Sequence, residues 1–351
     1  MTTRTISIPA LLDIRPGALD SLPAVLAGAF DTAHVAVAGG LAASRPSADR
    51  VARDLRDWGS QVTTYDGLVG SLEAAAELER RVRVDAPTVV LAVGGGRTID
   101  AAKLGAHRAG VPFVAVPTML SHDGMASPVA SLVGDDGIRR SLASGMPAGV
   151  VIDLDIVGAA PAEFVRAGIG DLVSNLTAVA DWRLAAAAGH EAFDEFAASI
   201  ALQSALPALN LHWPLSDEDL QLVARGLVMS GLAMEVAGSS RPCSGAEHLI
   251  SHALDQILGP DARAHGEQVA LGTLLVAHPS GLAVAKVRDL YERIGLPVSL
   301  AEWHLDRATL VEAIRLAPST RPGRITILDQ LDLTDDGIDQ LVADAFGVAA
   351  A

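Results

Sequence analysis

Apolar positions follow two different rhythms along this chain. Through the first 150 residues, short β-rich runs alternate with helical stretches. Residues 34–38 form a run of buried-strand type, followed by Gly39-Gly40 and a helix reaching Trp58. Residues 61–65 predict a second strand, ending at Asp66-Gly67 and leading to a helix over 71–84. The third run, 88–93, is the most apolar and passes directly into Gly94-Gly95-Gly96 and a helix from Thr98 to about Arg108. Residues 111–116 predict a fourth strand. Strands alternating with helices imply parallel βαβ units, and so a Rossmann-like, doubly wound parallel sheet over 1–160.

Beyond residue 160 the β-branched clusters thin out and helical spacing takes over, at 171–188, 191–206, 217–236, 244–258 and 264–278. Breaks fall at Pro207, Pro214, Pro242, Gly259-Pro260 and Pro279-Ser280-Gly281. This pattern predicts an all-α second domain over 161–351, with a ligand expected where the two domains face each other.

Composition narrows the function classes. A length of 351 residues, half of them apolar, can bury a large core. The net charge of −16 argues against a nucleic-acid partner, while leaving room for a small anion at a local positive site. The single cysteine, Cys243, rules out an intramolecular disulfide and suits a reducing cytosol. Charges at Arg4, Asp13, Arg15 and Asp20 interrupt any apolar leader, and no run reads as a membrane span, so a cytoplasmic protein is expected. Of the 26 basic residues only Lys103 and Lys286 are lysine, which raises the question of whether an ammonium is specifically needed at 103.

Candidate chemistry concentrates in four segments. His248 and His252 are four apart and would share a helix face; His265, on the next helix, could complete a metal site if an acidic ligand arrived from elsewhere. Gly94-Gly95-Gly96 joins a strand to a helix, as a tight turn or a diphosphate cradle would. The loop from Pro117 to Pro128 gathers Thr118, Ser121, His122, Asp123 and Ser127 at the same carboxyl edge of the sheet. Asp171 is expected to open the first helix of the second domain, either as an N-terminal helix charge or as the missing oxygen ligand.

Taken together, these motifs resemble the sn-glycerol-1-phosphate dehydrogenases, a branch of the superfamily of iron-type alcohol dehydrogenases, glycerol dehydrogenase and dehydroquinate synthase. The resemblance rests on Gly94 to Lys103, on Pro117 to Pro128 with its Ser-His-Asp-Gly core, on Gly168 to Asn175, on Gly238 to His252, on His265 to Gln268, and on Arg321 to Leu328. It implies that Asp171, His248 and His265 bind one zinc per subunit. It further implies that Gly95, Gly96, Arg97, Thr98, Asp100, Thr118, Ser121 and Ser127 contact NAD(H) or NADP(H). Asp123, Asp171 and His252 would be the catalytic and substrate-contacting residues, which moves His252 from ligand to neighbour of the metal. The implied reaction is reversible reduction of dihydroxyacetone phosphate to sn-glycerol 1-phosphate, with zinc as the Lewis acid on the ketone oxygen. A homo-oligomer is expected, acting on a small phosphorylated or phosphonylated ketone or alcohol.

Some positions depart from the family pattern. Arg97 stands where a lysine is common, Met119-Leu120 replace small residues, and Ala38-Gly39-Gly40 lack the acid or threonine usual after the first strand. Without that acid, NADPH should be accepted alongside NADH, unless Asp66 supplies the carboxylate. A local cation must admit a dianionic substrate; Arg241, beside Ser239 and Ser240, is the first candidate and Arg324 the second, with a structural ion pair as the alternative role. Rival readings are the same reduction of an isosteric phosphonate or related hydroxyketone in secondary metabolism, a cyclising lyase like dehydroquinate synthase, and a non-catalytic ligand sensor.

Overall fold

The computed structural model describes residues 5–41 and 43–347, so the outer ends of both expected domains, 1–4 and 348–351, lie outside the described residues. The chain divides into two compact units, Met1–Pro161 and Ala162–Ala351.

The first unit carries β1 (Leu11–Arg15), α1 (Leu22–Ala29), β2 (His34–Gly39), α2 (Arg45–Trp58), β3 (Gln61–Tyr65), α3 (Leu72–Asp85), β4 (Val89–Gly94), α4 (Gly96–Ala109), β5 (Phe113–Pro117), β6 (Val129–Val133), β7 (Arg139–Ala143), β8 (Gly149–Asp153) and α5 (Leu154–Gly158). Six strands form one sheet in the order β1-β8-β5-β4-β2-β3, every neighbouring pair parallel. A strand covered on both faces has no solvent side, which is why β4, β5 and β8 are buried at every position. One face sends Val35, Val37, Leu91, Val93, Val116 and Val151 into a core shared with Leu22, Leu26, Val51 and Leu55 of α1 and α2. The intervening positions Ala36, Ala38, Ala92 and Ala115 are small, allowing close approach on the other face, where α4 packs on β4 and β5. α3 and α4 touch closely as well: a Cβ on Gly105 would lie 2.8 Å from the Ala75 carbonyl oxygen.

Three features depart from the alternation read in the sequence. β1 and β8 extend the sheet at one edge, and β6 and β7 form a separate antiparallel ribbon. The strand order reverses at β2 and β4, where the chain runs outward to β3 and returns on the other side of β2. Ligands of open α/β sheets bind outside the carboxyl ends of strands at such a reversal.

The second unit is helical: α6 (Ala162–Val173), α7 (Asn175–Ala187), α8 (Glu195–Ala205), α9 (Asp217–Ala237), α10 (Ala246–Leu258), α11 (His265–Val276), α12 (Val284–Ile294), α13 (Leu300–Trp303), α14 (Arg307–Thr320) and α15 (Asp335–Phe346). By length and composition α9 could cross a membrane, but 61% of its most apolar window is buried inside the unit, where it packs on α6 and α8. The helix expected over 171–188 is two helices, α6 and α7, that meet at Ser174. Asp171 therefore sits near the C-terminal end of α6, and the expected N-terminal position is corrected. The carboxylate lies at the negative end of the helix dipole, where an anion is disfavoured without a nearby cation.

Candidate functional site

Two glycines bring the candidate ligands together. A Cβ on Gly170 would lie 2.6 Å from Ala270 Cβ and 2.8 Å from the Gly266 carbonyl oxygen, so only a bare Cα lets α6 settle on α11. Gly272 plays the same part between α11 and α10, since a Cβ there would lie 2.6 Å from the Glu247 carbonyl oxygen. These approaches place Asp171, His248 and His265 with one ligand atom each, all within 4.8 Å of one another. His248 Nε2 is 3.6 Å and His265 Nε2 is 3.8 Å from Asp171 Oδ1.

Both imidazoles are held by their other nitrogen. His248 Nδ1 is 2.9 Å from Glu247 Oε1, and His265 Nδ1 is 3.2 Å from Ser251 Oγ. Glu247 is fully buried and further fixed by the Gly245 N–H and by the Thr177 hydroxyl, which donates to Oε2 at 2.8 Å. Burial opposes a charge on His248, yet hydrogen bonding to Asp171 and Glu247, with the charges of both, carries its pKa up to about 9. The pocket thus favours positive charge between its carboxylates. Imidazole nitrogens with one hard oxygen suit zinc, and ligand atoms sharing a tetrahedral ion about 2.1 Å away lie roughly 3.4 Å apart. The donor set and spacing fit such an ion. His252 is half-buried beside the cluster, its ring stacked on His265 with centroids 6.5 Å apart.

In the first unit, the glycine turn after β4 lies at the strand-order reversal. Gly95 is the N-cap of α4, and the first intrahelical bond there runs from Ile99 N–H to Gly95 O. The N–H groups of Gly96, Arg97 and Thr98 therefore have no intrahelical acceptor. Thr98 is buried: Cβ atoms on Gly40 or Gly94 would run into its side chain, so it joins the ends of β2 and β4. Met119 Sδ would lie 3.0 Å from a Cβ on Gly95, which puts the bulkier Met119 directly over the turn. His122 Nδ1 accepts from Gly124 N–H at 3.0 Å, and its Nε2 occupies the space a Cβ on Gly96 would need. The ring is a wedge between the loop and the first turn of α4.

Lys103 explains the chain's rare lysine. Only 1% exposed, its ammonium donates to the carbonyls of Gly124, Ser127 and Val129 and pairs with Asp100 Oδ1 at 3.2 Å. A compact cation with three rotatable donors suits that carbonyl cage better than a planar guanidinium. Asp100 also accepts from Ser131 N–H, and the Ser127 hydroxyl donates to Val129 O. The side chains of Thr98, Asp100 and Ser127 thus lie inside the framework, whereas Gly95, Gly96, Thr118, Ser121 and Asp123 are half-exposed at the carboxyl edge and Arg97 is exposed.

Arg241 is 4% exposed, with its guanidinium on Glu191 and on Ile325 O. Arg321 and Arg324 stand beside it, both donating to Ser240 Oγ, and Arg324 also to Ser244 O. Burial and the neighbouring guanidiniums lower the pKa of Arg324 to about 9. Glu247, Ser251 and Arg321 were missed by sequence reasoning as site residues, whereas His122 stood among the candidates of the Pro117 to Pro128 loop. Glu247 could have been found from its place directly before a candidate ligand, because metal-bound imidazoles commonly lean on a carboxylate.

Residues 13–161 match the family model described as iron-containing alcohol dehydrogenase. The chain is 38% identical to the glycerol-1-phosphate dehydrogenase (NAD(P)+) of Hyperthermus butylicus over 340 residues, covering 96% of this chain and 97% of that one. Its identity to the protein of the same name from Thermococcus sibiricus is 42%, over 77% of each chain. Among solved structures, a probable glycerol dehydrogenase from Sinorhizobium meliloti superposes with a TM-score of 0.78 at 22% identity, covering 98% of this chain and 99% of that one. A 1,3-propanediol oxidoreductase superposes at 0.74 with 16% identity, covering 98% of this chain and 100% of the other. Both share the fold.

Proposed function

The chain belongs to the glycerol-1-phosphate dehydrogenase family, and from that premise we propose a zinc-dependent, NAD(P)H-linked reductase that converts dihydroxyacetone phosphate to sn-glycerol 1-phosphate in the cytoplasm. The observation that carries this reading is the convergence of Asp171 Oδ1 with the Nε2 atoms of His248 and His265, each imidazole fixed from behind. When bound, the zinc supplies Lewis acidity at the ketone oxygen and the nicotinamide supplies the hydride.

The chain's own residues do the rest. Asp171, His248 and His265 hold the ion. Glu247 and Ser251 set the orientation of the two imidazoles. In this reading His252, whose ring stacks on His265, supplies a proton to the substrate oxygen, and Asp123 contacts the substrate hydroxyl. The N–H groups of Gly96, Arg97 and Thr98 receive the cofactor diphosphate at the positive end of α4, with Gly95 giving the backbone close access and Thr118 and Ser121 flanking it. Asp100, Ser127 and the buried Thr98 side chain act by holding that turn and loop in shape. The substrate's dianion is received by the cluster of Arg241, Arg321 and Arg324. Glu191 already answers the charge of Arg241, so Arg321 and Arg324 supply the uncommitted positive charge.

The test follows oxidation of NADH and of NADPH with dihydroxyacetone phosphate, before and after zinc is stripped and restored. Turnover lost with zinc and regained with it is expected; turnover unaffected by complete zinc removal would reject the metal role. Comparing the phosphorylated and unphosphorylated ketones then tests the arginines. Arg321→Ala should lose about 2–4 kcal/mol in kcat/KM on the phosphorylated ketone and little on the other. Equal losses in Arg241→Ala would mark that residue as a structural partner of Glu191.

A further inference from the structure

β2 ends bare. Gly39 lies 3.0 Å, by its would-be Cβ, from Ala48 Cβ, and a side chain on Gly40 would run into Thr98 and Ser44. No carboxylate can therefore be offered from these two positions. The neighbouring strand supplies one instead: a Cβ on Gly39 would lie 3.6 Å from Asp66 Oδ1. Asp66 follows β3 directly, whose last residue Tyr65 pairs with Ala38, and Leu68 N–H donates to Gly39 O at 3.0 Å. The backbone thus fixes Asp66 beside the end of β2.

An open depression of about 750 Å³ lies at this place, lined by Gly40, Arg45, Asp49 and Asp66 among others. Arg45, at the start of α2, reaches Asp66 Oδ2 at 3.3 Å and Asp49 Oδ2 at 3.5 Å, with about half its side chain exposed at 53%. Exposed pairs of this kind hold weakly, so the guanidinium can leave Asp66 at little cost. β3 is two strand spacings, about 9.6 Å, from β4 and its glycine turn. A dinucleotide whose diphosphate rests on α4 can reach that far with its adenosine.

We propose that Arg45 and Asp66 read the 2′ position of the cofactor's adenosine ribose. Asp66 accepts a hydrogen bond from a 2′-hydroxyl while Arg45 stays on Asp49; a 2′-phosphate draws Arg45 into a charge-assisted pair that also screens Asp66. One site thereby takes both cofactors, each by a different side chain. The inference rests on the cofactor reading above.

Calorimetric binding of adenosine 5′-monophosphate and adenosine 2′,5′-bisphosphate separates the two without requiring turnover. Arg45→Leu should weaken the bisphosphate at least tenfold and leave the monophosphate within about twofold. Asp66→Asn should act oppositely, weakening the monophosphate and holding or improving the bisphosphate. Parallel changes for both nucleotides in either variant, or no binding of either nucleotide to the wild-type protein, would overturn the proposal and leave Arg45, Asp49 and Asp66 as a surface ion-pair network. Nucleotide binding as expected in a protein that reduces no ketone would instead overturn the reductase reading alone.

Discussion

In the helical unit, the candidate ligand atoms are set by other side chains: Glu247 behind His248, Ser251 behind His265, Thr177 behind Glu247. In the α/β unit, the carboxyl edge is set by backbone and by missing side chains, with Gly40 and Gly94 closed around Thr98 and Gly96 under His122. The two imidazoles depend on the particular atoms behind them, the glycine turn on the space around it. Substitutions should divide accordingly, with atom deletions hurting the first and added carbons hurting the second.

The largest effect is expected from the candidate ligands themselves. Asp171→Ala, His248→Ala or His265→Ala should each abolish zinc retention and lower turnover at least about a thousandfold, while circular dichroism stays native. Full zinc occupancy in Asp171→Ala, measured by elemental analysis, would remove that residue from the ligand set.

The contrasting change adds one carbon at the strand edge. Gly96→Ala should raise the cofactor's Kd about a hundredfold by displacing His122 or the turn, with zinc content untouched. Shrinking the wedge in a Gly96→Ala, His122→Ala double variant should recover part of that loss. A double variant as poor as the single one would mean the collision is not the cause.

Smaller again is the effect of Glu247→Gln, which keeps the volume but removes the charge behind His248. Zinc affinity, read by competition with a chromophoric chelator, should fall about 10–100-fold. An unchanged affinity would show that shape alone holds the imidazole.

The smallest prediction concerns a buried carboxylate behind Glu247. Burial and the charge of Glu247 push Asp181 up from 3.8 to about 7, against hydrogen bonds from Ala246 and Ile327 N–H groups. The native state then keeps a proton that the unfolded chain releases near pH 3.8, so this contribution is complete below that pH and lost as pH rises through about 7. Asp181→Asn should flatten the fall in Tm between about pH 4 and 7. A slope equal to wild type would assign that titration elsewhere.

Strong local signals were legible in the chain. β2, β4 and β5 stand out with their helices because a buried parallel strand must be apolar nearly throughout, whereas the edge strand β3 shows itself by its β-branched Val62, Thr63 and Thr64 and the Asp66-Gly67 turn. β8 is equally apolar, but it follows the β6–β7 ribbon with no helix between, so the alternation that exposed the others fails there. β1 carries Asp13 and Arg15, ion-paired to each other at 2.9 Å, and does not read as a core strand. At the site, His248 and His265 were visible by type and spacing, while Glu247, a carboxylate one residue before a histidine, carried no periodic signal of its own.

The sequence by itself determined the two-part architecture, the glycine turn at the sheet edge, and the histidines available for a metal, since each follows from local propensity, spacing or residue chemistry. Only the tertiary structure decided that Asp171 closes the cluster from the end of α6, 77 residues before His248 in the chain, and that Asp66 lies beside the bare end of β2. Both depend on how near two backbones can come. At Gly170 and Gly272 a hydrogen atom in place of a side chain sets that distance, beside β2 the Leu68 N–H bond to Gly39 O sets it, and no one-dimensional pattern records which partner will fill the space.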